Sequence, residues 1–316
     1  SDLHLDTLYS VTGVESDWCH NRSSSDDGSS TDDPLGPFGD YRCDAPLKLI
    51  DSLFAQMKKQ GPNPDFIVWT GDNSPHWANI SREYVYRSLK TVGKLLNSYF
   101  PEVPVIPVLG NHDSAPADYF VDEPQTDYYA KYIEEGGFGD FLVGEEREMF
   151  KKCGYYTYDL HRDDHDLPIR FIVLNTALYY HNSADVSSTD PCGQLKWYEQ
   201  QLRETTYPTF VAAHVPPGYF EISALGPTDP PNLYVNNSTQ INDNYVTISS
   251  SSKLNQEVVA HLYGHLHTDT FRIFMDADEN KEPVGVAFVS PSVTPMMCFG
   301  ANYSKCGVNP SVRLYQ

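Results

Sequence analysis

The sequence predicts a layered α/β fold. Short apolar runs rich in Val, Ile and Phe recur along the chain, each ending in a polar motif. Segments with apolar residues at three- and four-residue spacing lie between those runs. No internal repeat or clear interdomain linker interrupts the alternation. Runs of this length are too short for core helices and read as buried strands. Strands alternating with amphipathic helices build a layered sheet. At 316 residues the chain can bury a large core, so one compact domain covering 1–316 is expected.

In chain order the strands are DFIVWTGD at 65–72, VPVIPVLGNHD at 103–113, IRFIVLNT at 169–176, TFVAAHVP at 209–216 and VVAHLYGHLH at 258–267. The helices are APLKLIDSLFAQMKKQ at 45–60, YVYRSLKTVGKLLNSYF at 84–100 and CGQLKWYEQQLRE at 192–204. FRIFMDADENKEPVGVAFVS at 271–290 reads as a hairpin. Its DADEN resembles the opening of a calcium loop, but Lys281 stands where that loop needs glycine and Ala287 where it needs a bidentate Glu. A polar hairpin tip is the better reading. The stretch 21–40, rich in Ser and Asp, reads as an exposed loop, and 223–252, rich in Pro, Asn, Ser and Thr, as an irregular surface excursion near the site.

A net charge of −21 and a pI near 4.7 oppose a nucleic-acid scaffold, which needs phosphate neutralisation over a long surface. No apolar run approaches the ~20 residues that span a bilayer, and no signal peptide is present, although Ser1 begins almost inside a motif and suggests residues upstream. The even set Cys19, Cys43, Cys153, Cys192, Cys298 and Cys306 contains no C-x-x-C pair and reads as disulfides of an oxidising compartment. Sequence order suggests Cys19–Cys43 and Cys298–Cys306, leaving Cys153–Cys192, among the roughly fifteen pairings that six cysteines allow. Glycan acceptors at Asn21, Asn79, Asn236 or Asn237, and Asn302 agree with a secreted or lysosomal/vacuolar protein. Oligomeric state is not readable from these features.

The polar motifs share a position: each follows a strand, at the carboxyl end where open α/β sheets bind ligands. In SDLHLD, Asp2 and His4 stand two apart, and on a strand both would face one way. Asp72 ends DFIVWTGD; Asn111, His112 and Asp113 follow VIPVLG; His214 follows TFVAA; His265 and His267 follow HLYG. Clustered imidazoles and carboxylates carry a high desolvation cost unless a cation pairs them. Asp2, His4, Asp72, Asn111, His214, His265 and His267 are too many ligands for one tetrahedral ion. Two ions sharing Asp72 use them all, and such pairs clamp the oxygens of a phosphoryl displacement. Nitrogen and oxygen donors without thiolate suit zinc, iron or manganese.

The order D-x-H, G-D, G-N-H-D, lone His, G-H-x-H resembles the calcineurin-type metallophosphoesterase superfamily. The resemblance implies a layered metallophosphoesterase fold, with central β-sheets flanked by helices in an αββα sandwich. It implies a first metal on Asp2, His4, Asp72 and His267, and a second on Asp72, Asn111, His214 and His265. WTGDNSPH, AHVPPGY at 213–219 and GPFGDYRCDAP at 36–46 are similar to acid sphingomyelinase-like phosphodiesterases, with endopolyphosphatases nearby. That group implies zinc, His112 as proton donor, Asp113 orienting it, and His76 holding a phosphate oxygen beside Asn111 or sharing the donor role. Purple acid phosphatases fit poorly, since Pro75 stands where they need a tyrosine ligand. Acid sphingomyelinase itself carries an N-terminal saposin-like domain and its relatives a cysteine-bearing C-terminal region; neither is expected here, which counts against a sphingolipid substrate.

The expected activity is hydrolysis of phosphodiester or phosphoanhydride bonds in small substrates such as nucleotides and phosphocholine-type compounds. The alternatives are endopolyphosphatase and a non-catalytic secreted binding protein with structural metals. No G-x-S-x-G elbow, phosphate loop or dinucleotide fingerprint supports another enzyme class.

Overall fold

Burial sorts the apolar runs into two sheets: Ile106, Phe171, Ile172, Val173, Val211 and Ala212 are all fully buried. The computed structural model describes residues 1–21, 34–124, 126–162, 167–183, 188–219, 232–234, 239–276, 281–297 and 307–315. β1 (Ile67–Trp69) pairs in parallel with β2 (Val105–Pro107), Ile67 opposite Val105. The second sheet contains β3 (Tyr156–Leu160), β4 (Ile169–Val173), β5 (Thr209–Ala212), β6 (Val258–Tyr263), β7 (Thr270–Met275) and β8 (Pro283–Val289). Its order is β3-β4-β5-β6-β8-β7. The four inner strands run parallel, while β3 and β7 pair antiparallel at the edges. β4 and β5 are therefore covered on both faces and read as near-continuous apolar runs.

Among the described residues six α-helices complete the layers: α1 (Leu47–Gln60), α2 (Arg82–Tyr99), α3 (Thr126–Glu134), α4 (Gly144–Cys153), α5 (Gln194–Glu204) and α6 (Thr239–Ser249). α2 starts earlier than its apolar pattern because Ser81 caps it, its hydroxyl accepting from the Tyr84 amide at 3.2 Å. The expected hairpin is β7 and β8, with Ile273 opposite Val286; its tip at 277–280 lies outside the described residues.

Three helices and one strand were not legible as periodic patterns. α3 and α4 bury Tyr129, Tyr132 and Phe150 with Phe138 of the connecting turn, so tyrosines do the work usually given to aliphatics. β3 carries its burial at Tyr156 and Leu160. The excursion at 223–252 is corrected in part: Thr239–Ser249 is helix α6, anchored by buried Ile241 and Tyr245. Tyr245 stacks on Tyr198 of α5, ring centroids 5.6 Å apart, and its hydroxyl meets that of Tyr263 at 2.5 Å. Its polar composition hid one apolar stripe. Positions 220–231 and 235–238, with Asn236 and Asn237, lie outside the described residues.

Two of the expected disulfides are present, Cys19–Cys43 and Cys153–Cys192, and both described pairs are fully buried or nearly so at Cys19, Cys43 and Cys153. Cys298 and Cys306 fall outside the described residues, as do positions 22–33 of the acidic loop and Asn302. Cys153 closes α4 and Cys192 stands just before α5, at a sequence separation of 39. Replacing both by alanine is expected to lower stability by about 2–4 kcal/mol, because the unfolded chain regains loop freedom. Equilibrium urea unfolding would register this as a lower midpoint; an unchanged midpoint would mean that packing of α4 against β3 already fixes the loop.

Candidate metal centre

The N-terminal segment lies between the two sheets and joins them. Asp2, His4 and Leu5 donate backbone N–H bonds to the carbonyls of Gly71, Asp72 and Asn73 at 3.0, 3.0 and 2.8 Å. On the other side, Val293 and Thr294 donate to the Asp2 carbonyl at 3.1 and 3.0 Å. The expected regular strand at Asp2–His4 is corrected: both residues are left-handed, φ 49° and 42°. Their side chains converge because the backbone twists, not because a pleat alternates.

Asp72, His265 and His267 share that conformation, with φ of 56°, 73° and 58°. Left-handed non-glycine residues cost on the order of 1–3 kcal/mol each, and such strain concentrates at functional sites. Packing here also explains two motif glycines. A Cβ on Gly110 would lie 2.1 Å from Asp72 Oδ1, and one on Gly264 2.7 Å from Asp2 Oδ2. G-N-H-D and G-H-x-H therefore start with glycine because the carboxylates occupy the space a side chain would need.

The structure brings all seven sequence-predicted ligands together. Three sets have donor atoms within 4.8 Å of one another: Asp2, His4 and Asp72; Asp72, His214 and His265; and His4, His76 and His267. Asp72 Oδ2 lies 3.1 Å from His214 Nε2 and 3.5 Å from His4 Nε2. Asp2 Oδ1 lies 3.6 Å from His267 Nε2 and accepts the His265 amide at 2.9 Å. Asn111 Oδ1 sits 3.0 Å from His214 Nε2 and 2.9 Å from His265 Nδ1.

Backbone carbonyls orient the imidazoles. Nδ1 of His4, His214 and His267 meets the carbonyls of Ser74, Thr70 and Met296 at 2.8, 2.7 and 2.9 Å. Each contact makes Nδ1 the protonated nitrogen and turns Nε2 toward the carboxylates. His4 Nε2 is buried without a hydrogen-bond partner. A buried acceptor left unpaired costs about 1–3 kcal/mol, and a cation would remove that cost. Nitrogen and oxygen donors of this kind suit divalent metals.

Charge is distributed as if a cation were expected. Burial opposes ionisation of Asp72, but His214, His112 and His4 outweigh it and hold the carboxyl well below its usual range. Burial likewise opposes the charge on His214, yet the Asp72 carboxylate lifts it to about 9. Burial and neighbouring imidazoles hold His4 and His265 well below the ordinary histidine value. In the metal-free chain a proton on His214 thus neutralises part of the carboxylate charge.

His112 and His76 both reach this cluster. His112 donates its amide to Asp72 Oδ1 at 2.8 Å, and its ring lies 5.1 Å from His4 and 4.6 Å from His76. Burial and His76 lower its pKa to about 4. His76 stacks on His4 with centroids 3.7 Å apart. The expectation that Asp113 orients the His112 ring is corrected. Its carboxylate accepts the amides of Asp72, Asn73 and Gly110 at 3.0, 2.8 and 2.9 Å, and both oxygens accept the Asn73 side chain. Asp113 ties the G-D turn to the G-N-H-D turn, while His112 Nδ1 is buried without a partner.

Sequence reasoning missed Asp44 and Asp118. Asp44 accepts the His76 amide and Nδ1, both at 2.7 Å. Asp118 accepts the Asn111 side-chain amide at 2.8 Å. Neither follows a predicted strand, so no positional signal marked them, although Asp44 lies within GPFGDYRCDAP, one of the stretches that carry the resemblance.

Comparison with known proteins agrees with this geometry. The sphingomyelinase phosphodiesterase C of Dictyostelium discoideum is 33% identical over 332 residues, covering 100% of this chain and 68% of that protein. The acid sphingomyelinase-like phosphodiesterase 3b of Mus musculus and the cyclic GMP-AMP phosphodiesterase of Bos taurus are each 31% identical over 322 and 326 residues, covering 100% of this chain and 66% of theirs. The chain thus spans about two-thirds of the length of these relatives. The solved structure of PhoD shares the fold at TM-score 0.50 and 14% identity, over 76% of this chain and 54% of that one. The sequence model for calcineurin-like phosphoesterases matches residues 1–269, and the chain belongs to that family.

Proposed function

We propose that residues 1–316 form one catalytic domain, a binuclear metal-dependent phosphodiesterase acting on small phosphodiesters. The observation that carries this reading is the three triads of donors, each with its atoms within 4.8 Å of one another, linked to each other through His4 and Asp72. Asp2, His4, Asp72 and His267 hold one ion; Asp72, Asn111, His214 and His265 hold the other. The nitrogen and oxygen donors suit zinc, iron or manganese, and the likeness to acid sphingomyelinase-like phosphodiesterases favours zinc among them. Two bound divalent cations supply an acidified attacking water and neutralise the phosphoryl oxygens.

The chain's own residues orient and protonate. Carbonyls of Ser74, Thr70 and Met296 fix the ligand tautomers before metal arrives. His112 delivers a proton to the leaving oxygen, its position set by the amide bond to Asp72; held at about 4 by burial and His76 in the unliganded chain, it carries that proton only at acidic pH or beside a substrate's phosphate charge. His76, its Nδ1–H held by Asp44, donates from Nε2–H in its imidazolium form to a phosphate oxygen alongside the Asn111 side chain or shares the donor role.

Charge supports a diester over an inorganic polyphosphate. The side chains that ion-pair with Asp2 and Asp72 are imidazoles. A long polyanion would need a cationic track, and the chain carries a net charge of −21. An exported location is supported by the disulfides and by exposed acceptors Asn21 and Asn79. Among the described residues no helix is long and apolar enough to cross a membrane.

Hydrolysis assays with bis(p-nitrophenyl) phosphate, ATP, CDP-choline, sphingomyelin and polyphosphate, at acidic and neutral pH, test the reading. Turnover of the small diesters is expected. Preference for polyphosphate would favour an endopolyphosphatase, and no turnover of any substrate would favour a metal-stabilised binding protein. His267→Ala should lose metal and activity together, whereas His112→Ala should keep its metal and turn over about 10²–10⁴-fold more slowly; fully loaded, active forms of both would overturn these roles. Metal uptake has its own pH signature. His214, at about 9 in the metal-free chain, must shed its proton to become a ligand. Calorimetric titrations in buffers of different ionisation enthalpy should show a His214 proton released near neutrality, in addition to that of a metal-acidified water, and this contribution should disappear as pH rises through 9.

A further inference from the structure

An asparagine ligand carries a built-in ambiguity, because its side chain ends in an oxygen and an NH₂ of nearly equal size. Only the oxygen can bind a cation. Something must therefore hold Asn111 with Oδ1 inward. His265 does not decide it alone, since its Nδ1 can donate or accept according to its tautomer, and His214, held at Nδ1 by Thr70, offers the amide an Nε2–H only while doubly protonated, a proton it loses on binding metal.

The choice is made from the far side. Asp118 Oδ1 accepts Asn111 Nδ2 at 2.8 Å, while Asn111 Oδ1 faces His214 and His265. A carboxylate accepts only, so it can bind the NH₂ edge of the amide and not the oxygen edge. The same residue closes the loop through its backbone: the Asp118 amide donates to the Asn111 carbonyl at 2.9 Å. Ser114 Oγ adds a second bond to that carbonyl at 3.1 Å. Asp118 adopts a left-handed φ of 66° to make both contacts. Its side chain also engages Asn182, which approaches the hydroxyl of Tyr180, and the Tyr180 ring packs edge-on to His265 at 4.6 Å. One carboxylate thus reaches two residues of the second set, Asn111 directly and His265 through the 180–182 turn.

We infer that Asp118 is a positioning residue for the second metal, fixing the Asn111 amide so that its oxygen rather than its nitrogen faces the cation. This rests on the dinuclear reading above. Among the described hydrogen bonds Asp118 makes none to Asp2, His4, Asp72 or His267, and only the charge of the shared Asp72 reaches it, so the first site should be far less affected than the second.

The test is metal binding, not turnover. Metal-free wild type, Asp118→Leu and Asp118→Asn are titrated with Zn(II) and Co(II), with stoichiometry by elemental analysis and the Co(II) absorption spectrum recorded at each equivalent. Leucine matches the size and removes the acceptor; asparagine keeps one acceptor oxygen. Wild type should bind two equivalents. Asp118→Leu should bind the first with wild-type affinity and the second about 10- to 100-fold more weakly, the range for loss of a group that orients a metal ligand. Asp118→Asn should recover most of that loss. Two wild-type affinities in Asp118→Leu would overturn the assignment, as would equal weakening of both equivalents in both variants, which would indicate a general role in holding the loop. A wild-type protein that binds no metal would instead refute the dinuclear centre itself.

Discussion

Asp72 is buried among imidazoles, its carboxylate held by the His112 amide on one oxygen and facing His4 and His214 with the other. Keeping a charged carboxylate in that position without water is costly unless the charge is answered. The surrounding architecture supplies the answer in layers. Main-chain carbonyls turn the histidine nitrogens inward, and the Asp113 carboxylate gathers three amides so that the G-D and G-N-H-D turns cannot separate. Burial and the adjoining Asp72 charge raise Asp113 to about 7, while its amide donors pull the other way.

The sheets exist, functionally, to bring remote chain segments to one point. β1 delivers Asp72, β2 delivers Asn111 and His112, β5 delivers His214 and β6 delivers His265 and His267, all beyond the carboxyl ends of parallel strands. The N-terminal segment closes the arrangement by bonding to the turn after β1 and to the chain after β8. Rigid strands set the approach; strained turns set the final aim. That division explains why Asp72, His265 and His267 are left-handed beyond ordinary strands, as Asp2 and His4 are in the irregular N-terminal segment.

Much of this was legible because buried parallel strands announce themselves as apolar runs, and because a metal centre needs residue types that stand out at their ends. The legible part ended where burial was carried by other chemistry. α3, α4 and α6 pack through Tyr129, Tyr132 and Tyr245, which a search for aliphatic periodicity passes over. The supporting carboxylates were harder still. Asp44 and Asp118 act on residues 32 and 7 positions away, and Asp113 serves amides 41 and 40 residues back rather than its neighbour's ring. Adjacency in sequence misassigned Asp113 because hydrogen bonds follow turn geometry, which the linear chain does not reveal.

The account's central claim is that Asp72 is shared between two cations. Anomalous X-ray diffraction from crystals grown with Zn(II) addresses it most directly. Two peaks about 3.5–4 Å apart, both within bonding reach of the Asp72 carboxylate and with Asn111 touching only one, are predicted. A single peak, or two peaks that leave Asp72 uncoordinated, would contradict it.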